Sequence, residues 1–177
     1  IEWNEDNYDI SKNKYMMDAY NAGVWGFVSD YARLDIIYTY GGIYLDTDVE
    51  LIRPLDDMLY QSGFVGCTSD GMFALGLGFG AKARLPIIKE LMDVYDDLEF
   101  VPIKEKKDRI TAFTAPEIQT MYLVEKRGWK YNWEIDSIED LRIYPSPILD
   151  GLKADTDEMK KCVYSIHHYA GSWMPSY

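Results

Sequence analysis

The segment YGGIYLDTDVELI, residues 40–52, ends an apolar run in two aspartates one residue apart, Asp46 and Asp48. Side chains alternate along an extended strand, so this spacing puts both carboxylates on one face and Thr47 on the other. Like charges that close oppose each other's ionisation, and a divalent cation reverses the penalty. Mg2+ or Mn2+ accepts such hard oxygen ligands and completes its shell with substrate phosphates. The pair is therefore a candidate metal and diphosphate site, although acidic chains also carry D-x-D as a solvated turn. A helix–loop–helix calcium site is excluded. Counted from Asp46, its sixth position needs glycine and its twelfth glutamate, where the sequence has Leu51 and Asp57.

An aspartyl-phosphate phosphatase, with Asp46 as nucleophile, stays open, although Val49 and Glu50 stand where such enzymes usually carry a Gly-Thr step. Upstream, FVSDYARL sets Asp30 and Arg33 three residues apart, on one face of a helix. An exposed pair of this kind contributes little. Here its neighbours are apolar, and the Gly41–Gly42 turn folds the helix end back beside the aspartates. The two histidines, His167 and His168, fall on opposite faces of a late strand, so one of them can reach the aspartates. The run GLGFG, residues 76–80, lacks the strand–turn–helix context of a phosphate loop and reads as a bent strand lining an acceptor cleft. TAPEIQT opens a helix by its Thr114-x-x-Glu117 pattern, and these two residues are secondary catalytic-loop candidates.

These groups need a frame to hold them. Periodicity predicts helices over Ser11–Ala22, through VWGFVSDYARLDIIYTY, over Pro86–Leu98 and over Pro116–Arg127. IEW reads as a strand end, and IYLDTDVELI as one strand that starts fully buried. RPLDDML reads as a short turn or helix, and GFVGC, MFALGLGFGA, LRIYP and VYSIHHY as further strands. Helices alternate with strands, so the fold class is α/β with a mixed sheet in a single domain of 177 residues.

Composition narrows the partners. A net charge of −12 argues against nucleic acid, and no apolar run approaches the roughly 20 residues of a membrane span. Cys67 and Cys162 match no metal spacing and are expected as reduced thiols inside a cell.

The stretch FVSDYARLDIIYTYGGIYLDTDVELIRPLDDML resembles the central signature of the DXD sugar-transferase family. That family includes capsular-polysaccharide glycosyltransferases and Golgi-type mannosyltransferases, and its core is shared by large glucosylating toxins. The tail YSIHHYAGSW resembles the closing motif, and TAPEIQT and IYPSPI are similar to weaker elements. The resemblance implies a GT-A-like fold and a retaining, metal-dependent transfer of a sugar from a nucleotide diphosphate, a UDP-sugar being favoured, to a saccharide acceptor. It implies Mn2+ (or Mg2+) held by Asp48, with Asp46 beside it facing ribose and sugar. It implies Asp30 on sugar hydroxyls and Arg33 on the sugar and diphosphate. It implies that His168, three residues before Gly171, would close the metal shell, with His167 as the alternate, and that Ser172 and Trp173 would cover the donor. The implied setting is surface or capsular polysaccharide synthesis in bacteria, in the cytoplasm or peripherally at the inner face of the membrane. The family's usual first strand has no counterpart, so an N-terminally truncated catalytic domain is expected, with impaired donor binding. The open sheet edge invites a homodimer. A sugar-nucleotide-binding module without turnover is the alternative.

Overall fold

The computed structural model describes residues 3–101 and 113–171. The expected α/β class with a mixed sheet is what forms. Helix α1 spans Lys14–Asn21, starting later than its periodicity suggests because a 3-10 turn at Ile10–Lys12 precedes Asn13, whose side chain accepts the Met16 N–H. Helix α2, Trp25–Tyr40, buries Phe27, Tyr31, Leu34 and Ile37, but also Asp30, Arg33 and Asp35. Asp35 is answered by the Tyr8 hydroxyl and the Lys12 ammonium, each at 2.8 Å, which pins the N-terminal segment to the helix. Gly41 ends α2 with φ of 70°, its N–H donating to the Ile37 carbonyl at 2.8 Å. A Cβ at Gly41 would stand 2.9 Å from the Ala83 nitrogen, so the turn admits no larger residue.

Five strands form one sheet in the order β1 (Gly42–Tyr44), β4 (Phe73–Ala81), β3 (Gly63–Cys67), β6 (Leu141–Tyr144), β5 (Asp136–Ile138). β3 and β6 run parallel and the other pairs antiparallel. A second sheet pairs β2 (Val49–Leu51) with β7 (Ser165–His167). β3 is buried along its whole length because both faces are covered. On one side α1, α2, α3 (Pro86–Asp93) and α4 (Ala115–Arg127) pack on Val65, Phe73, Leu75, Phe79 and Ile143. On the other, Phe64 and Leu77 meet Leu55, Met58 and Leu149. α3 is shorter than predicted and continues as a 3-10 turn at Val94–Asp96. α4 begins with the predicted capping box, the Glu117 carboxylate accepting the Thr114 N–H at 2.7 Å. A short helix α5, Asp157–Lys160, precedes β7.

Residues 43–52 do not form the single strand read from the sequence. β1 stops at Tyr44, the chain turns at Thr47–Asp48, and β2 joins the other sheet. Nor does β1 start buried: it is an edge strand, and Ile43 is 40% exposed. The break has a partner in β4. Val65 pairs with Phe79 but Gly66 with Ala74, so residues 75–78 bulge out of the β3 ladder. The bulge presents the Gly76 carbonyl to the Asp46 N–H at 3.2 Å, which holds the chain where β1 ends. The expected IEW strand falls partly outside the described residues, and Trp3 is not in a strand. Cys67 is buried and Cys162 exposed, both free. Among the described residues no helix is long and apolar enough to cross a membrane.

Candidate functional site

The turn between β1 and β2 brings Asp46 and Asp48 together with a third group supplied by β7. Ligand atoms of Asp46, Asp48 and His167 all lie within 4.8 Å of one another. His167 Nε2 is 3.4 Å from Asp46 Oδ2 and 3.4 Å from Asp48 Oδ1. Two carboxylates and an imidazole form a donor set that fits a divalent cation. The carboxylates converge through the turn and not through strand pleating.

The structure brings His167, and not the expected His168, to the two aspartates. β7 alternates its side chains, and its pairing with β2 turns Val163, Ser165 and His167 inward. His168 therefore points away, half exposed, with its Nε2 3.1 Å from Glu50 Oε2. Ser172 and Trp173, expected over the donor, lie outside the described residues. Thr114 and Glu117 form the cap of α4, their hydrogen-bonding groups directed at each other.

Asp30 and Arg33 do reach the aspartate turn. Arg33 donates through Nη2 to Asp30 Oδ1 and through Nη1 to Asp46 Oδ1, the latter at 3.4 Å. Its Nε is buried without a hydrogen-bond partner among the described residues. Such an orphaned buried donor is costly. The Tyr44 hydroxyl donates to Asp46 Oδ1 at 2.8 Å, and its ring lies 5.4 Å from the Arg33 guanidinium carbon. Sequence reasoning missed Tyr44, whose place follows from the strand period once Asp46 is known. It also missed Gly76: a Cβ there would stand 2.4 Å from Asp46 Oδ2, so glycine is what lets the carboxylate lie over the bulge.

The electrostatics follow from burial and pairing. Burial pushes the Asp30 carboxyl up to about 6 against the pull of Arg33, and Asp46 adds to the rise. Burial also works against the Arg33 charge, but Asp30, Tyr44 and Asp46 more than offset it and the guanidinium stays charged. Asp46 behaves differently. Burial alone would raise it, yet the His167 hydrogen bond, Arg33 and Tyr44 hold it below the usual carboxylate range. The result is an ionised carboxylate at the mouth and, behind it, one that takes up a proton more readily than an ordinary carboxylate, joined by one guanidinium. Asp46 and Asp48 keep 31% and 18% side-chain exposure, so the group opens to solvent. Two surface cavities lie elsewhere, one of about 140 Å³ by Ile43 and Phe64, the other of about 350 Å³ by Tyr144 and Tyr164.

Residues 1–65, which contain Asp30, Arg33, Asp46 and Asp48, match a family described as glycosyltransferase sugar-binding region containing DXD motif. The tail with His167 falls outside that match. Over 114 residues, 64% of this chain, the sequence is 31% identical to a human protein named alpha-1,4-N-acetylglucosaminyltransferase. The aligned region spans 29% of that relative's length. No solved structure matches the chain at a significant level. Over its first 65 residues the chain is thus similar to the DXD-containing sugar-binding region of a glycosyltransferase family.

Proposed function

We propose that this chain is a catalytic region of a retaining, metal-dependent glycosyltransferase with a GT-A-like fold. It moves a sugar from a nucleotide diphosphate, a UDP-sugar being favoured, to a hydroxyl of a saccharide acceptor. The observation that carries the reading is the meeting of Asp46, Asp48 and His167 beside a buried Arg33–Asp30 pair. Asp46, Asp48 and His167 would hold Mn2+ (or Mg2+), which when bound supplies Lewis-acid stabilisation of a diphosphate leaving group.

The chain's own residues account for the rest. Arg33 offers a fixed positive charge where negative charge develops as the glycosidic bond breaks. It costs little reorganisation, since Asp30 and Asp46 already hold its Nη groups. Asp30, buried and held by Arg33, suits recognition of sugar hydroxyls as a hydrogen-bond acceptor. Tyr44 and His167 keep Asp46 ionised and oriented. The acceptor attacks on the leaving-group face, and the departing phosphate takes its proton. The α-linkage in the human relative's name agrees with retention from an α-linked donor. Surface or capsular polysaccharide synthesis in the cytoplasm or at the inner face of a membrane is retained as the expected setting, although that relative is human.

The test is a panel of UDP- and GDP-sugars, UDP-N-acetylglucosamine included, assayed for Mn2+-dependent release of free sugar. At least one donor is expected to be hydrolysed, with the rate lowered about 10²-fold or more by Asp48→Asn. Metal-dependent nucleotide binding with no sugar released from any donor would instead show a binding module. Cleavage of a generic aryl phosphate that requires Asp46 would show a phosphatase.

A further inference from the structure

Beneath β7 the chain buries an acid that the donor site does not use. Asp150 is 0% exposed, although it carries a carboxylate and a neighbouring leucine, Leu149, already fills the core. Its Oδ1 accepts the Tyr169 hydroxyl at 2.7 Å and its Oδ2 the Ser146 hydroxyl at 3.3 Å. Both donors are neutral. Burying a carboxylate against hydroxyls alone is less favourable than burying an apolar side chain of similar volume, so packing does not explain the residue.

What Asp150 holds is the start of the tail. Tyr169 has φ of 51°, a left-handed conformation uncommon for a bulky aromatic residue, and it turns the phenol back under β7. Its ring centroid lies 4.4 Å from that of His167, and the Lys153 ammonium sits 5.4 Å over the same ring. The turn also aims three successive amides at the site. His168 N–H donates to the Asp48 carbonyl at 3.0 Å, Tyr169 N–H to His167 Nδ1 at 3.0 Å, and Ala170 N–H to Asp48 Oδ2 at 2.8 Å. Asp48 is thereby held by one oxygen, leaving Oδ1 toward His167 Nε2.

We propose that Asp150 and Tyr169 are positioning residues: the phenol–carboxylate bond anchors residues 168–170 over the D-x-D turn and sets where His167 and Asp48 stand for a divalent cation. This rests on the reading of Asp46, Asp48 and His167 as a metal site. The phenol matters most once the imidazole serves as a ligand. A neutral ring that accepts the Tyr169 N–H at Nδ1 carries its proton on Nε2. A ring that ligates through Nε2 carries it on Nδ1 and no longer accepts that amide. The hydroxyl bond to Asp150 is then the tie that remains.

Two readouts on the full chain decide the matter: hydrogen exchange of the 168–170 amides without metal, and affinity for Mn2+ alone by paramagnetic resonance. Tyr169→Phe is expected to speed exchange at these amides about tenfold, leave β3 and β4 unchanged, and weaken Mn2+ binding by roughly 10-fold or more. Asp150→Asn keeps an oxygen for the phenol and is expected to stay within about threefold of wild type in both, whereas Asp150→Ala matches Tyr169→Phe. Unchanged exchange in Tyr169→Phe overturns the proposal, and so does faster exchange with unchanged Mn2+ affinity. A wild-type chain that binds no Mn2+ overturns the metal reading and this proposal with it. Mn2+ binding without turnover of any sugar nucleotide overturns the functional reading alone.

Discussion

Arg33→Ala is expected to lower folding stability by roughly 3–5 kcal/mol and to abolish sugar-nucleotide turnover, the largest combined effect of any single change in the site. The guanidinium is buried on the inner face of α2 and bridges two carboxylates from different parts of the chain. Removing it strands Asp30, which is more deeply buried than Asp46. A carboxyl left alone in such a place neutralises itself by holding its proton, which limits the loss. The penalty then depends on pH with a definite sign. An acid held above its unfolded range is disfavoured once ionised, so the variant loses stability as pH rises and lies closest to wild type in acid. Urea denaturation at pH 5 and pH 8 measures this. The double variant Asp30→Asn/Arg33→Met, which removes both buried charges, is expected to recover most of the stability and none of the activity. A loss under about 1 kcal/mol for Arg33→Ala at pH 8 would mean the pair is a solvated surface contact after all.

Gly76→Ala is expected to do the reverse, leaving the fold intact while disabling the site. The added methyl would stand 2.4 Å from Asp46 Oδ2 and 3.1 Å from its Cγ. The obstructing group is the end of a side chain at a solvent-open turn, so it swings aside at little cost to the fold. Gly76 has no positive φ, and alanine brings no backbone strain. Displacing Asp46 breaks its alignment with Tyr44, Arg33 and His167 together. Mn2+ affinity and turnover are expected to fall about 10- to 100-fold, with a denaturation midpoint near wild type. Calorimetric titration with Mn2+ next to urea denaturation separates the two effects. An alanine variant with wild-type metal affinity would show that the carboxylate does not need its place over the bulge.

Much of the site was legible because its parts are local. Asp30 and Arg33 share a helix face by spacing alone, and Asp46 and Asp48 stand out as acids ending an apolar run; outside the site, the Thr114–Glu117 helix cap likewise follows from four residues. What was not legible depends on partners far away in the chain. The turn at Thr47–Asp48 exists because residues 75–78 of β4 bulge beside it, and nothing within IYLDTDVELI announces that. His168 is favoured by its place before Gly171 in the family resemblance, and the strand's own pattern does not correct that choice. In VYSIHHY the more apolar alternation runs through Tyr164 and Ile166 to His168, yet the buried face is that of Val163, Ser165 and His167. Small Ser165 is inside, where its hydroxyl donates to the Leu149 carbonyl at 3.4 Å. Asp150 and Tyr169 lie 19 residues apart and join only through a left-handed backbone that spacing does not reveal.

The central claim is that Asp46, Asp48 and His167 act together as ligands of one divalent cation. Titrating Mn2+ into the chain in the presence of UDP, and following free Mn2+ by paramagnetic resonance, tests it most directly. One bound ion is expected per chain, weakened at least about tenfold in Asp46→Asn, Asp48→Asn and His167→Ala, and unchanged in His168→Ala. Binding that survives in the first three, or that is lost instead with His168, would contradict the account.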